Sequence, residues 1–138
     1  MHTTIDMSER LTVVGEVDKV RRKFREAREA YKTILPKVDP ALIDDILERI
    51  DATGKEALSY TLEVFTKEGV DVKAAREYII SKTGMAPAIF DNGTHYVTNQ
   101  KLTLEMLKEI SDSPDVVDVR GSFCGGTGMR GAYFERRR

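Results

Sequence analysis

Val13, Val17, Val20, Phe24, Ala27, Tyr31 and Ile34 follow one another at alternating intervals of four and three. That spacing predicts a helix with a continuous apolar seam, built to pack lengthwise on another helix. Its start falls at residue 8 or at residue 16. Gly15 weakens the first turns, and 11–14 is rich enough in β-branched residues to form a short strand instead. Pro36 ends the helix near residue 35. Asp39 and Pro40 restart it, the first as N-cap and the second at the first helical position. Leu42, Ile43, Ile46, Leu47 and Ile50 form the next stripe, and Gly54 is the stop. A third helix is predicted over 55–67 from Leu58, Leu62 and Phe65, ending at Gly69. A fourth opens on Asp71, carries Val72, Ala75, Tyr78 and Ile79, and closes at Gly84. The even spacing of Gly54, Gly69 and Gly84 comes with no side-chain repeat, so it reads as capping and not as a solenoid.

After Met85 the period shortens. Residues 88–91 and 94–98 flank Asn92-Gly93, a pair that readily takes the two positive φ angles of a type I′ turn. The predicted register sets Phe90 opposite His95 and Ile89 opposite Tyr96. A short helix over 102–111 follows, then a strand over 116–119. A glycine-rich segment, 121–131, leads into a last strand over 131–135. The fold class is α+β. A helical N-terminal region of about four helices, residues 1–85, packs against a small β-β-α-β-β sheet module, residues 86–138. No linker of Ser, Pro or Gly separates the two, so one compact unit is expected.

The composition supports a folded domain: 41% of the 138 residues are hydrophobic and 33% charged. That is long enough for a core without disulfides or metals. No stretch reaches the ~18 consecutive apolar residues of a membrane span. The N-terminus lacks a basic-then-apolar signal pattern, and the single cysteine, Cys124, cannot form an internal disulfide. A cytoplasmic protein is expected. One cysteine and two histidines, His2 and His95, leave no basis for a metal site, and no cofactor motif is present.

The net charge of −1 conceals an asymmetry. Residues 19–37 are basic, with Arg21, Arg22, Arg25 and Arg28 inside two helical turns; residues 39–71 are acidic. Arg136, Arg137 and Arg138 end the chain. A linear phosphate backbone meeting these arginines is one reading. The other folds the acidic stretch back antiparallel onto the basic helix and absorbs its charge. Asp44 and Asp45 are adjacent on a helix, point in different directions, and read as solvated surface.

The segment 121–131 is the sharpest candidate site. Its glycines free the backbone to curl into an anion-binding concavity. Ser122, Cys124, Gly125, Gly126, Thr127, Gly128 and Arg130 would line it, with Arg130 as charge partner. It is neither a Walker loop nor a dinucleotide fingerprint, because no helix follows it. Cys124 is a nucleophile only if His95 reaches it as base. Taken alone, Cys124 reads as an incidental thiol and His95 as a half-buried sheet residue.

A binding protein is therefore expected more than an enzyme. Contact with RNA or a ribonucleoprotein surface through the arginines leads, although no aromatic RNA-binding strand motif is present. A small anionic ligand or a thiol reaction at 121–131 is one alternative. A homodimer paired along the seam is the other. The dimer requires a seam that the chain's own helices leave uncovered. If they cover it and Phe24 is fully buried, Phe24→Ala costs about 3–5 kcal/mol.

Overall fold

The computed structural model describes residues 7–125. The order of elements is α1 (Met7–Ile34), α2 (Pro40–Thr53), β1 (Leu58–Thr66), α3 (Val72–Thr83), β2 (Ala88–Phe90), β3 (His95–Leu102), α4 (Leu104–Asp112) and β4 (Val116–Phe123). The α+β class is as the periodicity predicts.

Caps place the helices as expected. Asp39 Oδ1 accepts from Ala41 N at 3.0 Å and Asp71 Oδ1 from Ala74 N at 3.1 Å. Gly54 and Gly84 close α2 and α3 in the left-handed region. α1 runs through Gly15 as unbroken helix, so the short strand at 11–14 does not form. At 28 residues it is about 42 Å long.

One predicted helix is a strand. The spacing of Leu58, Leu62 and Phe65 suits a helix over 55–67, but Leu58, Tyr60, Leu62 and Val64 alternate with other residues at the period of a half-buried strand. Leu58, Tyr60 and Leu62 are buried on one face of β1. This strand lies inside the sheet, whose order is β2-β3-β1-β4 with every neighbour antiparallel. The run β1-α3-β2-β3-α4-β4 is two interlocked split β-α-β units. A boundary near Met85 would thus detach β1 from both β3 and β4.

The hairpin has its predicted pairs, Phe90 with His95 and Ile89 with Tyr96. Asn92 (φ 58°, ψ 36°) and Gly93 (φ 84°) supply the positive angles, and Thr94 N donates to Asp91 O at 3.3 Å. Asp91 is left-handed too, at φ 53°, so the ladder stops one pair short of the turn.

The core lies between one face of the sheet and helices α2 and α4. Leu42, Ile43 and Ile46 from α2 meet Tyr60 and Leu62 from β1, Leu107 from α4 and Val119 from β4. Gly121 belongs to this contact: a Cβ there would stand 2.9 Å from Thr61 O and against Leu42 and Leu62. The segment before α2 covers the outer edge of β4, with Asp39 N donating to Val119 O and Val119 N to Lys37 O, each at 2.8 Å. No residue of α1 or α3 is buried.

Candidate functional site

Among the described elements α1 exposes the most large apolar side chains. Val20 is 70% exposed, Phe24 58%, Val13 50% and Val17 42%. The other described helices therefore leave the N-terminal part of the predicted seam open. Only its C-terminal end is engaged. Arg28 donates to Asp44 Oδ2 at 3.0 Å and Tyr31 Oη to Asp44 Oδ1 at 2.8 Å, which fixes α1 to α2. Burial, then the bond to Asp44, raises the Tyr31 pKa. Arg28 also lies over the rings of Phe24 and Tyr31.

The four α1 arginines divide. Arg21 pairs with Asp18 at 2.9 Å on its own helix, and Arg28 makes the single described ion pair from the basic stretch to the acidic one. Arg22 and Arg25 have no carboxylate partner among the described residues, and neither has Lys19. The acidic segment does not lie along the basic helix, because part of it is β1. Arg136, Arg137 and Arg138 fall outside the described residues.

The glycine-rich segment is only partly a loop. Gly121 and Ser122 belong to β4, paired with Leu62 and Thr61, and Cys124 N donates to Ser59 O at 3.0 Å. Ser122 and Cys124 therefore extend a ladder and do not join a nest of converging N–H groups. Gly125 turns into the left-handed region at φ 88°. Gly126, Thr127, Gly128, Arg130 and the strand expected over 131–135 lie outside the described residues.

Cys124 and His95 do not meet. His95 pairs with Phe65 across the sheet, whereas Cys124 bonds to Ser59, six residues earlier on β1. At the rise of a strand that is roughly 20 Å, so His95 cannot act as a base for this thiol. His95 instead sits on the open face of the sheet. Its Nε2 is 2.9 Å from Glu63 Oε1, its ring stacks on Phe65 at 4.3 Å, and Phe90 flanks it at 5.5 Å. Arg120 lies over Phe65 and bonds to Asp118. Beyond the predicted Phe90–His95 pair, this aromatic cluster has no signature in the sequence, because its members come from four strands.

Asp44 and Asp45 are not idle surface. Asp45 Oδ2 accepts from Tyr60 Oη at 2.6 Å and from Arg49 Nε at 3.0 Å. Burial of Tyr60 and its bond to Asp45 raise its pKa strongly. The two acids join α2 to α1 and to β1 respectively. Among the described residues no group of three or more His, Cys, Asp or Glu side chains is placed to hold a metal ion. In the same residues no helix is long and apolar enough to cross a membrane. Compared with family models, with curated proteins and with solved structures, the chain matches none.

Proposed function

We propose that this is a binding protein that pairs with a second copy of itself along α1, with the two helices antiparallel. The observation that carries the reading is the exposed run Val13, Val17, Val20 and Phe24 of the apolar seam, on a helix with no buried residue. Val17, Phe24 and Tyr31 take the a positions of a heptad; Val13, Val20, Ala27 and Ile34 take the d positions. Leaving such a seam in water forgoes the main favourable term of helix association.

Charge decides the orientation. Glu16 and Lys23 occupy g positions; Arg21 and Arg28 occupy e positions. In a parallel pair each g faces the next e of the second copy, so Glu16 would meet Arg21, but Lys23 would meet Arg28. An antiparallel pair centred between Asp18 and Lys19 sets Val17 against Val20 and Phe24 against Val13. It also sets Glu16 against the second copy's Lys23, twice by symmetry. This register leaves Tyr31 on Asp44 undisturbed.

Sedimentation equilibrium tests the proposal. Wild type is expected to be a dimer and Val20→Glu a monomer. Lys23→Glu should weaken the dimer about tenfold, since each of two attractive pairs becomes repulsive. Adding Glu16→Lys should restore it. A wild-type monomer at high micromolar concentration would overturn the pairing. A tighter Lys23→Glu dimer would overturn the antiparallel order, because the introduced carboxylate would then face Arg28.

A second reading, contact with RNA, is favoured by one observation. Lys19, Arg22 and Arg25 stand three residues apart on the side of α1 away from the seam, without described acidic partners. A dimer would still present them outward.

A further inference from the structure

α3 stands off the sheet. It contributes nothing to the buried core, and beneath it lies a cavity of about 520 Å³. Ala75 and Ile79 of α3, Leu62 and Val64 of β1, and Met106 and Ile110 of α4 supply apolar walls. This size and lining suit a small molecule. At the far end α3 is latched to α4. Tyr78 Oη donates to Glu109 Oε2, and Lys82 Nζ lies 3.1 Å from the same oxygen. The helix is thus held at a distance and not collapsed onto the sheet.

β3 lays a polar stripe along this cavity: Tyr96, Thr98 and Gln100, at alternate positions on one face. Thr98 Oγ1 donates to Gln100 Oε1. Tyr96 is 1% exposed, and its hydroxyl is the one buried side-chain polar atom among the described residues without a hydrogen-bond partner. Such a group costs stability until an acceptor reaches it. Burial, and Asp71 nearby, raise its pKa, so it stays a donor.

The charged groups on the walls decide what sort of ligand fits. Asp71, Glu109 and Asp115 outnumber Lys82. Asp71 is committed to capping α3, Glu109 to Lys82, and Asp115 to Lys67 at 3.3 Å. No cation is left over among these described residues for a carboxylate or phosphate, and an unpaired anion here would be costly.

We propose that the cavity between α3 and the sheet binds a neutral, mostly apolar small molecule whose single polar oxygen accepts from Tyr96 once the contacts that seal that hydroxyl open on binding. The site is independent of α1 pairing.

The test uses N-phenyl-1-naphthylamine, a neutral fluorescent probe, on full-length protein carrying Val20→Glu and Phe24→Glu. Those changes remove the exposed seam as a rival apolar surface. The probe is expected to bind at a single site and to be lost in Ala75→Trp, which fills the cavity, with the circular dichroism unchanged. Should the tryptophan unfold α3, Ala75→Leu decides by weakening the probe. No binding, or binding indifferent to both changes, overturns the site. Decanol should displace the probe at least about tenfold better than decanoate; equal displacement overturns the neutral class. Tyr96→Phe should weaken decanol by about three- to tenfold, the worth of one neutral hydrogen bond. An unchanged affinity removes Tyr96 from the contact.

Discussion

Tyr60 Oη and Asp45 Oδ2 lie 2.6 Å apart, and this bond joins the first part of β1, one of the two inner strands, to α2. Tyr60 is fully buried, while Asp45 keeps a second bond to Arg49. The partners are therefore unequal. Asp45→Ala strands a buried hydroxyl and should cost about 1–3 kcal/mol. Tyr60→Phe leaves Asp45 with Arg49 and solvent and should cost less. Urea denaturation of both variants checks the order; equal losses would mean that the bond adds nothing beyond packing.

Phe24→Ala should not cost the several kcal/mol of a core deletion, because the ring is 58% exposed. At nanomolar concentration the unfolding midpoint should move by no more than an ordinary surface change, about 0.5 kcal/mol. At high micromolar concentration the loss should grow, since self-association stabilises only the folded chain. A large loss independent of concentration would place Phe24 inside a single chain.

The α3 latch should release in acid. The hydrogen bond from Tyr78, then Lys82, lowers the Glu109 pKa below its ordinary 4.5. A depressed carboxylate contributes stability above its unfolded value and loses it as pH falls through the folded one. Lys82 is raised above 10.5 by the hydrogen bond to Glu109, so its share is present below 10.5 and fails only as pH rises through the folded value. Amide protection factors along α3 should be level at pH 6–8 and fall below about pH 4.5. Glu109→Gln should abolish that acid dependence; its persistence would assign it elsewhere.

If Lys19, Arg22 and Arg25 meet a phosphate backbone, retention of single-stranded RNA should weaken with salt at a log–log slope of about 2 from these three contacts. Replacing all three by glutamine should remove that slope while α1 stays helical. Retention that ignores salt, or none at about 50 mM salt, sinks the reading.

Much of the fold is legible locally. Asp39-Pro40, Asp71, Gly54 and Gly84 bound their helices through bonds to residues two to four away, and Asn92-Gly93 sets the hairpin through its own φ angles. The α1 seam is equally plain, since a heptad is a property of one helix. Residues 58–66 are ambiguous by themselves, because Leu58, Leu62 and Phe65 satisfy a helical period while Tyr60 and Val64 satisfy a strand's. Only pairing with β3 and β4 settles which period is used. Tertiary structure also decided everything that joins distant segments. It carried Asp44 to Tyr31 and Asp45 to Tyr60, and it drew Gly121 into the core beneath Leu42. It separated Cys124 from His95 along β1, left the first part of the α1 seam uncovered by the described residues, and held the middle of α3 off the sheet over a cavity. At its N-terminal end α3 nonetheless reaches Tyr96, through Asp71 and Val72, and the cavity opens beyond that contact. Each of these depends on where whole elements stand, and the spacing of residues within an element has no term for that.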